Sequence, residues 1–302
     1  MKVLIGGGGG FIGQRLARYL LDQGLEVVIL DRNVPRIESP HLKWFTIDLL
    51  KPELFNKSWF EGVDAVINLS GKDIFTLWTK KNKNAIWGSR VTVNKNLIDF
   101  ISTLEEKPKV FVSASAVGYY GDKGDTELDE SAPNGLGFLA EVCIAWEKEA
   151  RRAESLGMRS VQVRTAPVLD KKGGILGELM KSFKFGFSFL FGSGLNWFSW
   201  IHMDDLIRIY HTAAMDGRLS GPVNASSPHA VRYRDFIYLL REFRKALIIP
   251  LPVWVLKLLL QETADVLTFS QRMMPAKILK HGFKFSYNDL RDALGEIFSK
   301  KV

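Results

Sequence analysis

The chain has 302 residues, of which 46% are hydrophobic and 25% charged, and it carries a net charge of +8. That balance excludes a disordered, collagenous or coiled-coil protein, and the single cysteine, Cys143, excludes an internal disulfide and a multi-cysteine metal site. No segment approaches the roughly 18 apolar residues that span a bilayer, and the N-terminus has no long unbroken apolar region, so a cytoplasmic protein without membrane contact is expected.

The apolar run at 2–6 predicts a buried strand, and Phe11, Ile12, Leu16, Tyr19 and Leu20 predict a helix over 11–23. Between them lies Gly-Gly-Gly-Gly-Gly-Phe-Ile-Gly at 6–13. A flexible linker would have polar flanks, and this run has a strand on one side and a helix on the other. Glycine is needed where a pyrophosphate must approach backbone N–H groups and the positive end of a helix, so the turn reads as a dinucleotide site. Gly7, Gly10 and Gly13 fit a G-x-x-G-x-x-G spacing, and Gly8 lets G-x-G-x-x-G match as well. Gly7, Gly8, Gly10, Phe11, Ile12 and Gly13 are the expected contacts. The next strand, 26–30, ends in Asp31-Arg32, where an acidic side chain is placed to hold ribose hydroxyls.

Further strands are predicted at 43–47, 64–69, 109–114, 160–166 and 222–225, and helices at 80–104, 138–156, 204–216, 233–246, 253–261 and 287–298. The alternation means βαβ units, an α/β protein with a parallel sheet. Ligands bind at the carboxyl ends of such strands, which gathers Gly7–Gly13, Asp31, Leu69-Ser70-Gly71, Ser113–Tyr120 and Arg164–Val168 at one crevice. Residues 1–170, with a strand and helix returning from about 200–225, are expected to hold the nucleotide, and 171–302 to form a substrate region with a small helical domain from about 250. Phe183, Phe185, Phe187, Phe189 and Phe191 alternate with other residues, as an extended segment with one apolar face would. Residues 1–150 carry a net charge of −2 and 151–302 one of +10. A positive substrate region suits an anionic small molecule such as a nucleotide-linked sugar, and a solvated surface explains it equally. The cations are scattered among elements, so nucleic acid is not an expected partner.

His202-Met203-Asp204-Asp205 does not read as a metal site, because adjacent carboxylates at a helix start cannot both face one ion; Asp204 reads as an N-cap. A Ser-His-Asp hydrolase built on Ser113 or Ser115 with His202 lacks the G-x-S-x-G elbow.

The glycine turn, Asn68-Leu69-Ser70-Gly71, Ser113–Gly121 and Trp200–Asp205 together resemble the extended short-chain dehydrogenase/reductase superfamily. Trp78-Thr79, Ser89-Arg90, Phe138–Cys143, Trp146-Glu147, Gly192-Ser193-Gly194 and Gln271–Pro275 narrow the likeness to its atypical epimerase-family proteins that end in a C-terminal domain of unknown function. The resemblance implies a Rossmann-like doubly wound parallel sheet with a smaller mixed C-terminal substrate region, and bound NADP(H) or NAD(H). Leu69, Ser70, Gly71, Arg90 and Ser113 complete the expected cofactor contacts. Asp31 leans towards NAD, since a carboxylate repels a 2′-phosphate, and Arg32 leans towards NADP. Superfamily enzymes exchange a proton through Tyr-x-x-x-Lys on a helix, where lysine lowers the tyrosine pKa. On that helix this chain has Phe138-Leu139-Ala140-Glu141-Val142-Cys143, with neither residue. Ser115 stands where the superfamily anchors the substrate oxygen, and Tyr119 or Tyr120 is the provisional proton donor. Two readings follow: an NAD(P)-dependent oxidoreductase or epimerase on a small carbinol or carbonyl, or a cofactor-binding protein without redox turnover. A homodimer is compatible with either.

Overall fold

The computed structural model describes residues 1–299. Seven short runs rich in Val, Ile and Leu form one all-parallel sheet: β1 (Lys2–Gly6), β2 (Glu26–Asp31), β3 (Leu42–Thr46), β4 (Ala65–Asn68), β5 (Val110–Ala116), β6 (Arg159–Thr165) and β7 (Gly221–Ala225). Their order, β7-β6-β5-β4-β1-β2-β3, reverses direction between β1 and β4, and a crevice opens at the carboxyl ends of strands at such a reversal. Each central strand is buried on both faces, which is why β1 and β4 read as unbroken apolar runs rather than alternating ones.

Helices α1 (Phe11–Asp22) and, much later in the chain, Met203–Met215 cover one face of the sheet, packing Leu16, Leu20, Leu206 and Ile209 on Val3, Ile5, Val112 and Val163. The other face carries α2 (Lys80–Trp87), α3 (Val93–Ser102) and α4 (Phe138–Arg151), with Leu97, Ile98 and Ala150 on Leu4, Val66 and Phe111. The next helices are α5 (Gly174–Phe183), α6 (Met203–Met215), α7 (Tyr233–Phe243), α8 (Val253–Leu260), α9 (Asp265–Thr268), α10 (Ala276–Lys280) and α11 (Leu290–Ser299). A third core, away from the sheet, joins α5, α7 and α11 through Leu176, Phe236, Ile237 and Leu294. No helix among the described residues is long and apolar enough to cross a membrane.

Three sequence expectations are corrected in detail. The helix predicted over 80–104 is broken: a π-helical turn, Gly88–Thr92, joins α2 to α3 and carries Arg90. The phenylalanine-rich stretch is not extended throughout, because Phe183 ends α5 and only Phe187–Phe191 is a strand, paired in parallel with Leu247–Leu251. The N-cap of α6 is His202 rather than Asp204: its side chain accepts the Asp204 N–H, and Asp204 lies in the first turn.

Candidate cofactor and substrate site

At the end of β1 the chain turns sharply into α1, with Gly7 at φ +76°, its N–H on the Leu30 carbonyl and its own carbonyl accepting the Gly10 N–H. Side chains are excluded by backbone: a Cβ on Gly13 would lie 2.4 Å from the Gly7 oxygen, and one on Gly7 would lie 2.8 Å from the Ser70 nitrogen. Gly8 is closed differently, by the Ile29 side chain at 2.7 Å. Gly10 caps α1 without a side-chain partner, so the first-turn N–H groups of α1 point out of the helix unclaimed by it. These donors and the positive end of the helix face the strand ends.

A polar cleft of about 480 Å³ opens beside this turn, lined by Gly7, Gly10, Asp31, Arg32, Asn33, Leu69, Ser70 and Gly71. The Asp31 carboxylate is already engaged: one oxygen accepts from the Gly9 N–H at 3.0 Å and the other from the Asn33 N–H at 2.8 Å. It braces the glycine loop against the tip of β2. Ser70 Oγ is buried and has no hydrogen-bond partner. A glycine cradle and an orphaned hydroxyl fit the phosphates and ribose of a dinucleotide.

On the far side of the α1 N-terminus lies a second cavity of about 280 Å³, to which Phe11 and Ile12 contribute. Its walls come from elements far apart in sequence: Ala116–Gly118 after β5, Leu139, Val142, Cys143 and Trp146 on α4, Thr165–Val168 after β6, Trp197 and Phe198, and Asp265–Leu267, Phe269 and Gln271 near the C-terminus. Leu139 and Cys143 stand one helical turn apart on the pocket side of α4, the helix on which the resemblance places a tyrosine and a lysine. Neither replaces that pair chemically, since burial, with Glu147 behind it, pushes the Cys143 thiol up to about 12. Among the described residues only two charged side chains line this cavity, Arg90 and Asp265. Arg90 Nη1 donates to the Lys72 carbonyl at 2.9 Å, and its guanidinium lies 5.4 Å from the Trp146 ring; no carboxylate among the described residues is within ion-pair distance of it. Burial raises the Asp265 pKa from its ordinary value, Lys257 opposes that, and Glu262 and Asp122 add to it.

The structure sends Ser115, Tyr119 and Tyr120 elsewhere. Side chains alternate along β5, so Ser113 and Ser115 both face the α3–α4 layer. Ser115 donates to Glu147 at 2.8 Å, and Ser113 accepts from Asn94 at 2.9 Å, both buried. Glu147, fully buried, is gripped by Arg164 through two hydrogen bonds of 2.8 and 2.9 Å. Arg164 also donates to the Tyr120 hydroxyl at 3.0 Å and lies 3.5 Å from the centre of the Tyr119 ring. The Tyr120 hydroxyl is 2.7 Å from Asn224 Oδ1 and 2.9 Å from the Asp129 carbonyl, and burial pushes its pKa up to about 12. Ser115, Glu147, Arg164, Tyr120 and Asn224 form a hydrogen-bonded network under the sheet ends, with Tyr119 packed on Arg164, and none of these residues is among those that line either cavity. Sequence reasoning missed Asp265 and Gln271 in the pocket wall; the only signal was the late Gln271–Pro275 motif.

His202, Asp204 and Glu296 also come together, with candidate ligand atoms within 4.8 Å of one another. Both ring nitrogens are occupied, Nδ1 by the Asp204 N–H and Nε2 by Glu296 at 3.1 Å, and Arg15 holds Asp204 at 2.8 Å.

With this geometry in view, residues 3–225 match the NAD dependent epimerase/dehydratase family. The chain belongs to that family. Residues 251–297 of this family member match a separate domain of unknown function, DUF1731. Its relatives include the chloroplastic epimerase family protein SDR39U1 homolog of Arabidopsis thaliana, 36% identical over 98% of this chain and 86% of that one. Another is the epimerase family protein YfhF of Bacillus subtilis, 33% identical over 100% of this chain and 99% of the other. Among solved structures, human epimerase family protein SDR39U1 with NADPH superposes with a TM-score of 0.87 at 29% identity, covering 100% of both chains. Enzymes of nucleotide-sugar metabolism with bound NAD, such as UDP-glucose 4-epimerase of Thermus thermophilus (TM-score 0.79, 18% identity), share the epimerase-family fold.

Proposed function

We propose that this chain binds NADP(H) across the N-terminus of α1 and acts as an oxidoreductase or epimerase on a small carbinol or carbonyl compound. The observation that carries the reading is the pair of cavities meeting at that N-terminus: Gly10 lines the polar one, and the next two residues, Phe11 and Ile12, line the apolar one. A dinucleotide has a polar adenosine diphosphate half and a flatter nicotinamide half, and the two cavities differ in the same sense. Gly7, Gly10, Gly13, Ser70 and the α1 N–H groups would hold the phosphates and riboses. Arg32 lines the polar cleft, and the Asp31 carboxylate is spent on backbone donors, which favours the 2′-phosphate of NADP(H). The human relative was solved with NADPH.

When bound, the nicotinamide supplies or accepts a hydride at a carbinol or carbonyl carbon. The chain must then move a proton to or from the oxygen. Among the described residues Asp265 is the one acidic side chain in the apolar wall, and burial, by raising its pKa, makes its carboxylate a better proton acceptor. Arg90 is placed to steady an electron-rich oxygen. Ser115, Tyr119 and Tyr120 serve in this reading as the frame that fixes α4 against β5 and β6.

The test is titration of the purified protein with NADPH and NADH, followed by fluorescence, then turnover with carbonyl compounds. Arg32→Ala weakens NADPH binding about tenfold or more and leaves NADH unchanged, because one charge-assisted contact is lost. The reading fails if neither nucleotide binds. A second reading, cofactor binding without turnover, is favoured by the lack of a tyrosine and a lysine on α4, whose pocket side carries Leu139 and Cys143; it prevails if NADPH binds and Asp265→Asn changes no reaction.

A further inference from the structure

The reacting end of the substrate is set by the chemistry of the apolar cavity, and this deepens the function proposed above and rests on it. Besides the Trp146 and Trp197 indoles and the Cys143 thiol, five uncharged polar side chains border the cavity: Thr165, Asn196, Ser199, Tyr233 and Gln271. Each has turned its donor onto a backbone carbonyl. Thr165 donates to Val163, Asn196 to Phe269, Ser199 to Gln271, Tyr233 to Phe189, and Gln271 to Val117 and Gly121. These donors hold the wall together; the Trp146 indole N–H, also in the lining, is buried without a partner. The rest of the lining is mainly Phe, Trp, Leu, Ile and Val, with Arg90 and Asp265 as its charged groups among the described residues.

A sugar ring brings a hydroxyl on nearly every carbon, and each one that leaves water without a partner is a loss to binding. A site that selects such a ring therefore converges several free donors and acceptors on it. Among the described residues this cavity offers two charged groups, the unpartnered Trp146 N–H and otherwise a mostly apolar surface. Its size is also informative: an apolar cavity of about 150 Å³ holds one benzene. A volume of about 280 Å³ is a little under twice that, so once a nicotinamide ring is in place the remaining space is no larger than a single six-membered ring.

We infer that the second place is taken by an aryl or alicyclic carbonyl compound with one six-membered ring at its reacting end, its single oxygen directed to Arg90 or Asp265. The hydroxyl-rich ring of a nucleotide sugar is the competing occupant.

Binding is read by thermal shift and calorimetry, with and without NADP⁺, using benzaldehyde, acetophenone and cyclohex-2-enone against UDP-glucose and UDP-glucuronic acid. The ring compounds bind saturably, and Leu267→Trp, which fills the wall from α9, weakens them at least tenfold. Leu267→Ala keeps them. Leu267 is half-buried and distant from the glycine turn in sequence, and NADPH fluorescence titration on the same samples reports whether either variant retains a folded cofactor site. Binding of a UDP-sugar that Leu267→Trp abolishes overturns the inference. So does ring-compound binding indifferent to Leu267→Trp, or no binding by any ring compound. A failed NADPH titration beside intact ring-compound binding overturns the cofactor reading instead.

Discussion

Tyr120 and Asp265 show how differently a titratable side chain can be employed a few residues from the same crevice. Tyr120 carries a phenol whose pKa burial lifts from 10.0 to about 12, and Arg164 and Asn224 hold it in place. Its neutral form is favoured in the folded state, so it contributes stability that is intact below pH 10 and is lost as pH rises through about 12. Tyr120→Phe leaves Arg164 and Asn224 short of a partner and costs roughly 1–3 kcal/mol, with a shallower loss of stability above pH 10 in alkaline denaturation and an unchanged kcat. A collapse of kcat at full stability would instead make Tyr120 a proton donor. Asp265→Asn has the reverse signature: normal stability, kcat lowered roughly 100-fold or more, and loss of the pH dependence that the wild-type carboxyl imposes. Carbonyl reduction rises in wild type as pH falls towards the raised Asp265 pKa. Sequence alone pointed to the tyrosines, because they follow β5. Their direction is decided by the one-turn 3-10 helix Val117–Tyr120, which swings Tyr120 inwards, and no residue pattern announces that.

Among elements, the strand-to-helix crossing at the glycine turn has the least tolerance. Gly13→Ala must separate α1 from the Gly7 carbonyl, since the added Cβ would lie 2.4 Å from it. The expected outcome is loss of NADPH binding with lowered stability, whereas Gly24→Ala, in open space at the end of α1, is costly only through its φ of +74° and leaves binding intact. Titration of both variants checks this. Most elements were legible because buried parallel strands read as unbroken apolar runs, and each of the seven predicted strands lies within a residue or two of its place. The π-helical turn at Gly88–Thr92 was not legible. Wider winding for one turn leaves the amphipathic pattern of α2 and α3 almost unaltered, yet it sets the direction of Arg90. The pocket wall was hidden for a different reason, since Asp265 and Gln271 meet Ala116 and Cys143 only through folding across more than a hundred residues.

At the scale of the molecule, the C-terminal segment is tied into the nucleotide-binding sheet rather than hung beside it. Arg272–Met273 pairs in parallel with Glu127–Leu128, Gln271 reaches the carbonyls of Val117 and Gly121, and Asn224 of β7 donates to both Leu128 and Met274. The whole chain therefore unfolds in one transition, with far-UV circular dichroism and tryptophan fluorescence coinciding. NADPH at a hundredfold excess over its Kd stabilises that transition by about 2.7 kcal/mol. Two separate melts would mean that the segments fold independently.

The sheet order has a consequence for colloidal behaviour. An open sheet has two rims, and each is a template on which another chain could add a strand. Here one rim is β3, where Lys43 keeps a charge beside the exposed Trp44. The other is β7, where Pro222 withholds an N–H and Lys277 donates to the neighbouring Ser220 carbonyl. Both ends of the scaffold are thereby guarded against self-templated growth, and Lys43→Val, which leaves a continuous apolar rim, is expected to scatter more light than the unsubstituted protein as concentration is raised.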